Sequence, residues 1–161
     1  MYETPDEIVA LEALLARSRQ GGTAHLKEIV SDDASPQAVT LLHLLQGMHV
    51  LALSTVTAKG EPRVSAVDGH FVHGQWTFGT DGSSAKATHL AARPSVSAAY
   101  IDGEALGVFV HGTAVPLVAR DGWTERVIPH WVRHYGTDPR TWGDDIRMYR
   151  IVPHWMVAYR P

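Results

Sequence analysis

The sequence predicts a mainly β protein: a small antiparallel barrel of six strands with short helices and a helical extension at the N-terminus. Apolar residues recur at helical spacing before residue 47, and their period falls toward two after residue 48. Six β-rich segments then follow one another, with one short helix after the third. A chain of 161 residues is long enough for one such domain with a real core.

In chain order, "TPDEIVALEALLARSRQ" places Ile8, Leu11, Leu14 and Leu15 on one helical stripe, with Thr4 as cap and Pro5 at the first helical position. Gly21 and Gly22 end that helix. "SPQAVTLLHLLQG" reads as a second helix from Ser35 and Pro36 to Gly47. Neither helix buries enough surface alone, so residues 1–46 form a packed extension and residues 47–161 the barrel domain. "HVLALSTV" (49–56) is the first strand and "TAKGEP" a turn. "RVSAVDGHFV" (63–72) is the second, with a bulge expected at Asp68-Gly69. His73-Gly74 is a tight hairpin into "WTFGT". A short helix over 84–92 follows, capped by Ser83 or Ser84 and stopped by Pro94. "SVSAAYI" and "LGVFVHGTAVPLV" are the next two strands, joined through Asp102-Gly103. Residues 121–145 are Trp-rich and helical in pieces, with Pro129 expected to start a helix rather than sit within one. "RMYRIVPHWMVAYRP" closes the chain as an extended segment.

Composition excludes several functions. A net charge of −3 argues against nucleic acid or an anionic membrane engaged through bulk charge. No apolar run approaches the roughly 18 residues of a membrane span. The acidic start "MYETPDEIVAL" lacks the basic region of a secretory signal, so a cytoplasmic location is expected. The absence of cysteine rules out disulfides and thiolate chemistry.

One charge is oddly placed. Lys86, one of three lysines, falls in the first turn of the 84–92 helix, where the helix dipole opposes it by about 0.3–1 kcal/mol. A bound anion reverses that sign, because free N–H groups, serine hydroxyls and the ammonium converge on it. Arg63 opens a strand on which it shares a face with Ser65 and Val67, so strand and helix could hold one phosphate between them. The competing reading is a pair of solvated surface cations.

Other chemistries find less support. "HWVRH" sets His130 and His134 four apart, the spacing of a shared zinc, but the glutamate of the metalloprotease motif is replaced by Trp131. Nothing selects a third ligand between Asp138 and His154, and no metal is assigned. No G-x-S-x-G elbow, Walker loop or G-x-G-x-x-G is present. His49, His73 and His111 lie in or beside strands, where structural hydrogen bonding is the ordinary role. Trp123, Trp131, Trp142, Trp155 and Tyr159 suit a core or an interface, or stacking on a planar heterocycle.

The stretch "LALSTVTAKGEPRVSAVDGHFVHGQWTFGTDGSSAKATHLAARPSVSAAYIDG", with the later "HGTA" and the closing "RIVPHWMVAYRP", resembles the pyridoxamine 5′-phosphate oxidase-like superfamily of flavin- and deazaflavin-binding split barrels. The similarity spans most of residues 48–161 and omits 1–46. It implies a six-stranded split barrel working as a homodimer, with cofactor sites at the subunit interface. Arg63 and Lys86 would meet the cofactor phosphate, helped by Thr80, Ser83 and Ser84. Backbone from Val64 through Ser65 and Ala66 to Val67 would lie along the ring system. Flavin-using oxidases of the family usually carry a second basic residue where this chain has Ala85, a lysine at the place of Asp68 and a ring-contacting glutamine at the place of Gly107. Those departures favour the branch that uses the deazaflavin coenzyme F-420, attached through a singly charged phosphodiester. The resemblance therefore implies an oxidoreductase moving a hydride between F-420 and a small organic substrate. An FMN-binding oxidase or flavin reductase is the alternative, and a non-catalytic cofactor or haem binder a third. No residue stands out as proton donor, so the catalytic residues are left unassigned.

Overall fold

The computed structural model describes residues 2–31, 33–119 and 121–160. The last residue of the expected closing strand, Pro161, lies outside them. The elements are helices α1 (Pro5–Gln20), α2 (Ala24–Ile29) and α3 (Ala38–Leu44), then strands β1 (Met48–Val56), β2 (Pro62–Val72) and β3 (Gln75–Asp81). Helix α4 (Ala85–Ala92), strands β4 (Ser95–Asp102) and β5 (Leu106–Pro116), helix α5 (Thr124–Tyr135), a 3-10 turn (Pro139–Thr141) and strand β6 (Ile146–Tyr159) complete the chain. The strands form a closed barrel in the order β1-β2-β3-β6-β5-β4, every neighbouring pair antiparallel. The mainly β barrel expected from the periodicity is thus the fold. No described helix is long and apolar enough to cross a membrane.

Alternation along the strands explains closure. Leu51, Leu53 and Thr55 of β1, and Trp76 and Phe78 of β3, are buried in the barrel. Their neighbours Val50, Ala52 and Val64 stay exposed on its outer surface. The N-terminal segment adds to the same core: Leu11 and Leu14 of α1, Leu41 of α3 and Leu45 at its C-cap belong to one continuous cluster with Leu51, Phe71 and Trp76. Helix α1 begins with a capping box between Thr4 and Glu7 and is tied to β6 by Ser18, whose Oγ accepts from the Met156 N–H at 2.9 Å.

Three local expectations change. Strand β2 keeps its register with β1 through Asp68↔Val50 and Gly69↔His49, so Asp68-Gly69 is no bulge. Glycine is required at 69 because a Cβ there would come within 2.5 Å of Leu51, which fills the barrel beside it. The register shift falls instead between His111 and Gly112, where β5 meets β6. Pro129 sits inside α5 rather than at its start. It is tolerated because it and Glu125, whose carbonyl loses its partner, both face water. The second helix begins at Ala38, not near Ser35, and α2, capped by Thr23, was not anticipated.

The β2–β3 hairpin, with His73 at φ 56° and Gly74 at φ 70°, is clasped between α1 and α5. Glu7 accepts from His73 Nδ1 at 3.1 Å and pairs with Arg126. Burial alone would raise the Glu7 carboxyl, but hydrogen bonds from Arg126, the Thr4 backbone and His73 outweigh it and hold it at about 2. A carboxyl depressed in the folded state stabilises the fold above its unfolded value near 4.5 and loses that contribution as pH falls toward 2. Glu7→Gln is therefore expected to lower Tm at neutral pH and to flatten the fall in Tm between about pH 4.5 and 2. Thermal melts of both proteins across that window check it, and identical acid limbs would refute the clasp.

Candidate functional site

The end of β1, the start of β2 and the end of β3 lie at one mouth of the barrel, and α4 crosses it. Ser84 caps α4 by accepting from the Ala87 N–H at 3.2 Å, and Thr80 Oγ1 lies 3.0 Å from Ser84 Oγ. The N–H groups of Ala85 and Lys86 open the helix and have no intrahelical acceptor. Lys86 is half-buried in that first turn and makes no ion pair among the described residues. Ser83 turns away from this group, since its N–H and hydroxyl both go to Asp81 Oδ1.

Helix and strand are joined across β1. Thr55, fully buried, bonds His89 Nδ1 of α4 at 2.9 Å, and Arg93 Nε donates to the Val56 carbonyl at 2.9 Å. Thr55 is the register partner of Arg63. His89 stands three residues beyond Lys86 on the same helix, hence on its side. The path from Lys86 through His89 and Thr55 to Arg63 therefore runs over contiguous elements at one barrel mouth. The Arg63 guanidinium is held by Glu61 at 2.8 Å and by the Pro62 carbonyl, and has to rotate to face Lys86. Along β2, Ser65 and Val67 follow Arg63 on the inner row, opposite Leu53 and Leu51. Val64 and Ala66 form the exposed outer row. Arg147, opposite Thr80, is a further cation that sequence reading missed; its guanidinium pairs with Asp145 at 2.8 Å. Thr55 and His89 were missed too, although the i, i+3 spacing of His89 from Lys86 was a visible signal.

The other sequence candidates separate into structural roles. His130 Nε2 lies 2.9 Å from Nδ1 of the fully buried His70, whose Nε2 lies 3.2 Å from the Tyr135 hydroxyl. Burial, reinforced by their neighbours, pushes His70 down to about 3 and His130 down to about 4, so both are neutral imidazoles locking α5 to β2. Among the described residues no group of three or more histidine, aspartate or glutamate side chains is placed to hold a metal ion. His111 bonds Ser97 Oγ at 2.8 Å and stacks on Trp155, and His73 is held by Glu7, both as structural groups. His49 lies against Tyr100 at 4.4 Å but leaves its buried Nε2 without a hydrogen bond. Trp131 is core, donating from Nε1 to Thr77, whereas Trp142 is exposed. Gly107 lies under the Tyr159 ring, which a Cβ there would approach to 2.6 Å and which stacks with Phe109.

The sequence matches the pattern of the pyridoxamine 5′-phosphate oxidase family over residues 39–155. No curated protein matches it. Among solved structures, a conserved hypothetical protein from Mycobacterium tuberculosis is 23% identical with a TM-score of 0.66, over 80% of this chain and 88% of that one. HutZ, the heme storage protein from Vibrio cholerae, is 19% identical with a TM-score of 0.62, over 76% and 91%. An F-420 reductase is 20% identical with a TM-score of 0.53, over 71% and 93%. At these identities the likenesses establish a shared fold.

Because the Ser84 hydroxyl caps α4 and also touches Thr80, its removal should be felt in stability. Ser84→Ala is expected to cost about 1 kcal/mol, with Ser83→Ala much nearer to neutral. Urea denaturation of the two variants checks the difference, and equal effects would show that the cap is not made.

Proposed function

The chain belongs to the pyridoxamine 5′-phosphate oxidase family, a family that contains oxidoreductases, and from that premise we propose that it binds the deazaflavin F-420 and transfers a hydride between it and a small organic substrate. The observation that carries the proposal is the convergence of Thr80, Ser84 and the unpaired Lys86 on the opening turn of α4. The one hydroxyl proton left over from the Thr80–Ser84 bond, two free N–H groups and one ammonium are a donor set suited to a phosphoryl group. Arg63 would complete it by leaving Glu61. When bound, the deazaflavin supplies the hydride chemistry; the protein binds, orients and shields it.

The charge count favours a single negative charge on that phosphoryl group. Ala85 adds no cation, Asp68 adds a carboxylate, and Arg63 and Arg147 each arrive with an acidic partner. A dianionic FMN phosphate would forgo charge-assisted hydrogen bonds worth about 1.5–3 kcal/mol each. The Tyr159 ring covers Gly107 and would have to swing aside for the glutamine that flavin-using relatives place there.

We place the cofactor between two copies of the chain. The outer surface of β1, β2 and β4 exposes Val50 (56%), Val64 (71%) and Ile101 (58%), an apolar face suited to a second subunit. Val64 and Ala66 on this face follow Arg63 directly, so the strand that reaches the phosphate would also border the subunit boundary.

Titration of the purified protein with F-420 and with FMN, followed by tryptophan quenching, tests the reading. F-420 is expected to bind the more tightly, and Lys86→Ala to weaken it by about tenfold or more. Micromolar FMN binding with none for F-420, or a Soret band on purification, would overturn it. Sedimentation should show a dimer that Val64→Asp dissociates.

A further inference from the structure

A second cavity, of about 210 Å³, lies against the outer surface of β2, β3 and β6, beside the barrel mouth. Ile146 and Met148 of β6 form its apolar floor, opposite Asp81 and Gly79 of β3. Trp131 of α5 and Trp142 beyond it line it from above, their rings 6.3 Å apart and inclined at 55°. Trp142 is held edge-on by the Tyr135 ring at 4.8 Å and by its own Nε1, which donates to Thr137 at 2.8 Å. It nevertheless remains 45% exposed. An indole fixed in place yet open on one side is a preformed wall.

The polar lining is all of one sign. Asp68 and Asp81 contribute carboxylates, and no lysine, arginine or histidine lines the cavity. Asp81 is engaged by Ser83, but Asp68 makes no hydrogen bond or ion pair among the described residues. The nearby guanidiniums are already paired, Arg147 with Asp145 and Arg140 with Asp138. A free carboxylate beside the open Trp142 indole and a thioether is poorly suited to an anion and well suited to a soft cation, which gains from the ring as well as from the charge.

We propose that this cavity is a binding site for a small organic cation, an alkylated ammonium or a cationic ring, held against the open indole of Trp142, backed by the buried Trp131 and neutralised by Asp68. Thr80 borders both this cavity and the phosphoryl donor set, and Asp68 continues the outer row of Val64 and Ala66. The ligand would therefore lie next to the ring of the bound cofactor, which makes an organic cation the substrate class of the proposed reductase. That last step rests on the functional reading above; the cation site itself does not.

The full-length protein, free of cofactor, is titrated with tetramethylammonium and with tert-butanol as its neutral counterpart, following the tryptophan indole N–H signals by NMR. Tetramethylammonium is expected to shift the Trp131 and Trp142 signals saturably and tert-butanol to leave them. Asp68→Asn, at an exposed and unpaired position, should weaken the binding by about tenfold, since each tenfold corresponds to the order of one partly exposed charge contact. Trp142→Ala should weaken tetramethylammonium binding by about tenfold, read from the remaining Trp131 signal, and undiminished affinity would overturn the proposal. Equal shifts with tert-butanol, or unaltered affinity in Asp68→Asn, would overturn the proposal. Cation binding in a protein that fails to bind F-420 would instead overturn only the functional reading.

Discussion

The seam between β1 and β4 is the constraint on which the molecule depends. Only three register pairs close the barrel there: Ala52↔Ala99, Leu53↔Ala98 and Ser54↔Ser97. Five of the six residues are alanine or serine, so the backbones can approach without displacing the large side chains that fill the interior. Closure removes the two free edges that an open six-stranded sheet would present. It also brings the end of β1 under α4, because β4 starts only two residues after α4 ends. Thr55 and Val56 can then receive His89 and Arg93, and the helix start is carried to the same mouth as Thr80 and Arg63.

How much of this was legible in the sequence follows from the range of the interactions. The strands announce themselves because alternation is local: Leu51, Leu53 and Thr55 face the core wherever their partners come from. The α4 cap and the position of Lys86 are local too, and were readable from "SSAK" and Pro94. Pro129 misled because a rule about helix interiors takes no account of a helix whose proline face is in water. Gly69 misled because a close approach to Leu51 looks, in one dimension, like a bulge. The Thr55–His89 bond joins residues 34 apart, and no pattern in either segment advertises it. The pairing of Arg63 with Glu61 was visible at i, i+2, but reading the arginine for its reach toward Lys86 obscured it.

Electrostatics set the character of the barrel mouth more than any single side chain does. Arginine pairs at Arg63–Glu61 and Arg147–Asp145 keep two cations close while cancelling most of their field. The arginines of such a mouth can be recruited to a ligand only by giving up existing partners. Beside β3, Asp68 has no such partner among the described residues, whereas Asp81 in the same cavity feels Arg147. A positive helix start and a negative cavity therefore share Thr80 as their border.

Under the proposed reading, that polarity accompanies the departures at Ala85 and Asp68, whereas Gly107 lies toward the other end of the barrel beside Tyr159. On the proposed reading, the aspartate at 68 would repel an anion and favour a cation beside the cofactor ring. The alanine at 85 adds no cation, in keeping with the singly charged linking phosphate we propose. At 107, Tyr159 covers the glycine and stacks on Phe109, exchanging a polar side chain for an aromatic surface. The changes at 85 and 68 run in one direction, toward weaker positive charge, and that is the environment the proposed monoanionic linker and positively charged partner would both require.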